Sequence, residues 1–396
     1  VTTKNERAQG RWNKNLQLNY GTPSISLAKG SGSVVWDVDG NRYLDFLGGI
    51  ATTVLGHANP SVVKAVSTQI RELSHVSNFY MHEPVLQLAE KLVGFTGEKS
   101  ARVFFCNSGA EANEAALKLS RLTGRTRIIA LEGGFHGRTT GALALTGQQA
   151  KRLPFLPLIK DVKFAPYGDL DSLRRLISRR VAMVIVEPIQ GENGVVVPPA
   201  DYLKGIRELC DQYGVLMCID AVQTGMGRTG SWFGYEYSGI TPDIITLAKG
   251  LGGGLPLGAM IAVTPQAPVF KPGEHGSTFG GNPVSCAAGL AAISVIEKKK
   301  LLSRAKTVGA HIKREISKID GVKAVRGEGL LLGILLEDID ASTLVEVAKK
   351  NGLLLNAPNK GVIRIAPALS ITDAQVREFI KKFAQSMALL QKGASQ

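Results

Sequence analysis

Four apolar segments of this chain run directly into residues capable of chemistry. DIITLA (Asp243–Ala248) leads into Lys249 and then Gly250-Leu251-Gly252-Gly253-Gly254. A lysine between an apolar strand and a glycine loop is desolvated, which lowers its pKa and makes its amine nucleophilic toward an aldehyde. VLMCID (Val215–Asp220) ends on Asp220, and a carboxylate at a buried strand end needs a cationic partner to stay ionised. After RVFFC (Arg102–Cys106), the small residues Ser108, Gly109 and Ala110 open a helical pattern. Unpaired N–H groups and the helix dipole make such a start a cradle for phosphate. After RIIAL (Arg127–Leu131), a glycine-rich turn carries Phe135, His136 and Arg138. The aromatic can cover a planar ring and the arginine can hold a carboxylate.

Each feature also has a plainer reading. Lysines commonly flank glycine turns, Ser108 can be a simple N-cap, Asp220 a turn cap, His136 a satisfied polar group and Arg138 a solvated charge. What carries weight is the set, placed on successive strand ends. One decoy fails on context: Gly225, Gly227 and Gly230 spell GxGxxG, but they lead to Ser231-Trp232-Phe233 rather than to a helix.

The elements that must position these residues follow from the apolar pattern. VAMVIVEP (Val181–Pro188) and GAMIAV (Gly258–Val263) join the four segments above as predicted strands. Their near-continuous apolarity predicts strands covered on both faces, as in a mostly parallel sheet. Ala112, Ala115, Ala116, Leu119 and Leu122 fall at helical spacing, and Thr372 with Gln375 forms a capping-box pair ahead of Val376, Phe379, Ile380, Phe383 and Met387. Strand–helix alternation predicts an α/β protein with a large doubly wound domain over 56–299. A smaller α/β domain is expected from 1–55 and 300–396. In open parallel sheets ligands bind beyond the carboxyl ends of the strands, where the reactive residues stand.

Length and composition set the outer bounds. A chain of 396 residues corresponds to two or three domains. The net charge of +14 raises the question of nucleic acid, yet the basic residues are scattered among acids and no recognition motif accompanies them. Neither nucleic acid nor membrane is expected as a partner; the charge instead favours small anionic substrates. No apolar run reaches the roughly 18 residues of a membrane span, and the first twenty residues lack the apolar stretch of a secretory signal. Cys106, Cys210, Cys218 and Cys286 read as buried thiols of a reducing, cytoplasmic compartment, without the spacing of a zinc site, and no metal is expected.

Taken in order, NSGAEANEAALKLSR, GGFHGRT, EPIQGENG, DAVQTGMGRTG, TLAKGLGGGLP and HGSTFGGNP resemble the subgroup-III aminotransferases, pyridoxal-phosphate enzymes of the aspartate-aminotransferase fold (fold type I). The resemblance covers about residues 16–390. NYGTP, WDVDGNRYLDFLGGIA and LLLNAPNKGVIRIAPAL bring it closest to members of bacterial arginine biosynthesis that take N-acetylornithine as amino donor and 2-oxoglutarate as acceptor. Relatives using ornithine, succinylornithine, succinyldiaminopimelate or 4-aminobutyrate are the alternatives, and a non-enzymatic regulator on the same fold is the remote one.

The resemblance implies that Lys249 carries pyridoxal 5'-phosphate and that Asp220 pairs with the protonated pyridine nitrogen. It implies that Phe135 and Val222 sandwich the ring, that Gln223 reaches its phenolic oxygen, and that Ser108, Gly109 and Ala110 hold the phosphate. Thr278 would come from the second subunit of a homodimer with shared sites. Arg138 and Arg364 would take substrate carboxylates, Glu192 would pair with Arg364 while the amino donor is bound, and Tyr20 and Asn78 would line the substrate site. One position departs from the pattern: Ala221 follows Asp220 where the family usually has glutamate. Cofactor binding is expected to survive this, with rate and supporting hydrogen bonds affected.

Overall fold

The structure is a computed structural model that describes residues 2–394. All six predicted strands lie in one seven-stranded sheet. Across it the order is Arg102–Cys106, Gly258–Ala262, Ile244–Leu247, Leu216–Asp220, Val181–Val186, Arg127–Leu131 and Val162–Ala165. The last five of these pair in parallel, whereas Gly258–Ala262 is antiparallel to both neighbours. Short loops permit that reversal: the chain turns back directly after Lys249–Gly252, without the helical crossover that a parallel neighbour needs. The seventh strand was not predicted. Val162–Ala165 is an edge strand with Lys163 exposed, so it lacks the continuous apolar run that marked the others.

Alternation along the strands divides the core into two layers. Ile129, Leu131, Val184, Val186, Met217 and Ile219 pack with Tyr202, Leu203 and Ile206 of helix Tyr202–Tyr213. Ile128, Ala130, Met183, Ile185 and Cys218 pack with Ala115, Ala116 and Leu119 of helix Gly109–Arg121. The alanines at that helical spacing allow close approach of the helix to the sheet.

The two ends of the chain meet in a separate core. Leu27–Ser31, Val34–Asp37 and Arg42–Asp45 form an antiparallel meander, and Leu353–Leu354 adds to it in parallel. Val322–Glu328, Leu331–Leu336, Val362–Ile365 and Asn356–Asn359 form an antiparallel sheet in that spatial order. Phe46 stacks on Phe379 at 3.9 Å between centroids, tying the meander to the C-terminal helix Asp373–Ala394. That helix starts at the predicted capping box: Thr372 N donates to Gln375 Oε1 (3.0 Å) and Gln375 N to Thr372 Oγ1 (3.2 Å). Helix Pro283–Lys298 serves both bodies, giving Cys286 and Ile293 to one core and Ala288, Ala292, Val295 and Ile296 to the other. All four cysteines are buried and free. Among the described residues no helix is long and apolar enough to cross a membrane.

Candidate active site

At the carboxyl ends of the central strands lies a cavity of about 500 Å3. Its walls include Ser108, Gly109, Ala110, Phe135, Arg138, Glu192, Asp220, Val222, Gln223 and Lys249, so ten predicted residues from five strand ends converge there. The strand-end rule worked because parallel strands all deliver their carboxyl ends to one edge.

Asp220 ends strand Leu216–Asp220 with its side chain buried. Its Oδ2 accepts from Asn113 Nδ2 (2.8 Å) and lies 2.7 Å from His136 Nδ1, while Oδ1 accepts from Val222 N (3.0 Å). Burial works against a charged His136, but the hydrogen bond and the charge of Asp220 outweigh it and raise the imidazole pKa. The partner that the fold gives Asp220 is therefore His136, itself only a weak signal in the sequence. Asn113 is oriented in turn by Thr246 Oγ1, which donates to its Oδ1 at 2.8 Å. Neither Asn113 nor Thr246 was singled out from the sequence. An asparagine on an alanine-rich buried face was the available sign.

Glu187 was also missed, although it follows strand Val181–Val186 as an acid beside a strand end. It is buried in the cavity wall, with Oε1 accepting from Phe135 N (2.9 Å) and Oε2 from Gly191 N (3.3 Å). Burial, reinforced by the charge of Asp220 and opposed by His136, lifts its carboxyl to about 7.

Lys249 opens the short helical turn after Ile244–Leu247. Its backbone is left-handed (φ 46°), a conformation that costs on the order of 1–3 kcal/mol for a residue with a side chain. Loss of solvent lowers its ammonium to about 8, a little offset by Glu192 and pushed further by Arg364. The amine is therefore partly neutral near neutral pH, as the sequence predicts for a nucleophile.

Arg364, on strand Val362–Ile365, is buried and pairs with Glu192 at 2.5 Å. Its guanidinium also donates to Gln223 Oε1 (3.1 Å) and Asn356 Oδ1 (2.7 Å). Arg364 and Lys249 offset the burial of Glu192 and hold its carboxyl below the usual value. Gly191 makes room for this arrangement, because a Cβ there would sit 1.9 Å from Gln223 Oε1. Arg138 is exposed at the rim, 5.7 Å over the Phe135 ring.

At the opposite wall Ser108 caps helix Gly109–Arg121, its Oγ accepting from Glu111 N (3.2 Å). Gly109 and Ala110 line the cavity, and as first-turn residues their N–H groups have no carbonyl within the helix. A Cβ on Gly109 would lie 2.8 Å from Val222 Cγ1, so only glycine lets this helix start approach Val222. Tyr20, Asn78 and Thr278 do not line the cavity. Tyr20 and Thr278 are exposed, and Asn78 Nδ2 donates to Ser277 O and Gly280 O, both at 3.1 Å.

This donor set suits a ligand of one kind. It offers a helix start for a phosphate, an amine for a carbonyl, and an ion-paired carboxylate for a ring N–H. His136 Nε2, buried with no protein partner, and the glycine gap at Val222 both belong to the same wall.

Comparison with known proteins agrees with this chemistry. The family described as Aminotransferase class-III matches residues 17–387. Acetylornithine aminotransferase of Streptomyces coelicolor is 52% identical over 95% of this chain and 94% of its own length. Among solved structures, ornithine aminotransferase from Toxoplasma gondii superposes with a TM-score of 0.94 at 31% identity, covering 99% of this chain and 96% of that one. Acetylornithine aminotransferase from Elizabethkingia anophelis gives 0.85 at 34% identity, covering 97% and 99%.

Proposed function

The chain belongs to the class-III aminotransferases, which depend on pyridoxal phosphate, and we propose that it transfers the δ-amino group of N2-acetyl-L-ornithine to 2-oxoglutarate. The products would be N-acetyl-L-glutamate 5-semialdehyde and L-glutamate, as a step of cytoplasmic arginine biosynthesis. The observation that carries the reading is the convergence on one cavity of a desolvated lysine, a buried aspartate bonded to His136, and a glutamate that pairs with Arg364 behind the wall. The choice of donor rests on the 52% identity to an acetylornithine enzyme.

Lys249 and Asp220 are the proposed catalytic residues. Ser108, Gly109 and Ala110 would hold the cofactor phosphate, Asp220 its ring nitrogen, Phe135 and Val222 its faces, Gln223 its phenolic oxygen and Lys249 its carbonyl carbon. When bound, pyridoxal phosphate supplies a carbonyl that exchanges for the donor amine and a ring that accepts the electron pair freed by proton loss. His136 and Asn113 hold the Asp220 carboxylate in place through their hydrogen bonds. The Lys249 amine removes the proton from the amine-bearing carbon, a role for which a pKa of about 8 suits it. Such general-base assistance typically contributes about 10²–10⁴-fold.

Two substrates must share one pocket. Paired with Glu192, Arg364 presents no free charge to the acylated donor. Released from it, Arg364 takes the carboxylate beside the reacting carbon of 2-oxoglutarate. Arg138 takes the remaining carboxylate of either substrate, while Tyr20 and Asn78 lie on surface segments outside the cavity wall.

A homodimer is part of the same reading. Phe79, Tyr80, Met81 and Phe279 are exposed, and Asn78 links their two segments into one apolar surface that carries Thr278. A second copy seated there would bring Thr278 to the neighbouring cavity. The division into a domain of 56–299 and one of 1–55 with 300–396 is supported by the separate apolar clusters, with helix Pro283–Lys298 spanning both.

The test is to mix holoenzyme with N-acetyl-L-ornithine in the absence of any keto acid and follow the cofactor's visible absorbance. Loss of that absorbance, restored by 2-oxoglutarate with one equivalent of glutamate formed, is the expected result. A response to ornithine or 4-aminobutyrate alone would keep the family and replace the donor.

A further inference from the structure

Arg228 is 1% exposed and sits outside the catalytic cavity. Its Nη1 donates to Leu330 O (3.2 Å) and to Pro367 O, while Nε and Nη2 have no protein hydrogen-bond partner. Arg207 and Arg364, which the fold also covers, differ in having an acid beside them. Arg207 meets Asp243 at 2.7 Å and Asp211 at 2.8 Å, and Arg364 meets Glu192 at 2.5 Å. No carboxylate of the described residues lies within ion-pair distance of Arg228. Burial draws its pKa down to about 10, and no neighbouring acid opposes that. A guanidinium stays protonated at neutral pH, so this position holds an enclosed positive charge with two donors unused. Carbonyl dipoles and water can satisfy donors, but an enclosed full charge calls for a counter-charge.

We propose that Arg228 forms a buried binding site for a small monovalent anion of the chloride class, held by Nε and Nη2. Size follows from the surroundings. Full enclosure calls for a small anion: Arg228 is 1% exposed, and the preceding Gly227 is packed so closely that a Cβ would lie 2.9 Å from Leu369 and 3.0 Å from Leu302. Position gives the site a consequence. Two turns lead from Ala221 to Arg228, through Gly225 N to Ala221 O (2.8 Å) and Arg228 N to Gly225 O (3.3 Å). Ala221 follows Asp220, and Pro367 lies three residues after Arg364. The anion therefore sits where the Asp220 loop is fastened to the Arg364 strand.

The experiment is thermal unfolding of the holoenzyme at constant ionic strength, with chloride replacing gluconate at one scan rate. A saturable rise in apparent Tm of roughly 2–4 °C is expected for an anion reaching about 100 times its Kd. Arg228→Met should remove that response. Crystals of the unaltered protein soaked in bromide should show an anomalous peak within hydrogen-bond distance of Nε and Nη2. A Tm indifferent to chloride, a response that persists in Arg228→Met, or no halide peak at Arg228 overturns the assignment.

Discussion

Lys249 shows how one side chain is tuned by position. Between the apolar strand Ile244–Leu247 and a glycine loop it loses water, and its pKa falls from 10.5 to about 8. Covalent capture of pyridoxal phosphate by the apoprotein needs the neutral amine. Its rate should climb about tenfold per pH unit below pH 8 and level off above, since the neutral fraction saturates there. Stopped-flow absorbance checks this, and a flat profile from pH 6 to 9 would contradict it. Lys249→Ala should keep its circular dichroism and lose turnover by more than the about 10²–10⁴-fold of a lost general base. Asp220 and Lys249 were legible in the sequence because each terminates an apolar run. The His136–Asp220 contact was not, because 84 residues separate its members and a histidine in a turn carries no sign of its partner.

Helix Gly109–Arg121 is the element on which the proposed phosphate end of the site depends. Its alanine face packs on the sheet, and its start is brought against Val222 by a glycine. Gly109→Ala would force a methyl to within 2.9 Å of both Val222 methyls, an overpacking worth about 1–3 kcal/mol. Equilibrium dialysis should show cofactor retention weakened by about tenfold or more, with the thermal transition still cooperative. The Ser108 cap and the alanine spacing announced this helix. The edge strand Val162–Ala165 went unannounced because exposed Lys163 interrupts its short apolar run. Likewise the antiparallel course of Gly258–Ala262 depends on its neighbours, not on its composition.

At the scale of the whole molecule, the exposed apolar surface around Phe79 (90% exposed) and Phe279 is where the proposed second copy would sit. Phe79→Asp should shift the protein to monomer in sedimentation and lower cofactor occupancy, because Thr278 could then no longer reach the neighbouring cavity. An undisturbed dimer with full occupancy would place the interface elsewhere. The positive charge of the chain suits substrates that bear carboxylates, and low ionic strength should lower KM for 2-oxoglutarate more than it changes kcat. By itself the sequence determined the α/β class, the strand ends that carry Lys249 and Asp220, and the helix that opens at Ser108, since apolar period and strand-end chemistry are local properties. The Arg364–Glu192 pair, 172 residues apart in the chain, was expected from the resemblance and from no local pattern, and only the tertiary structure decided that His136 supports Asp220 and that Arg228 is enclosed without an acid among the described residues. Those are properties of which surfaces are buried together. Burial sets the cost of each charge, and it exists only once distant segments have packed.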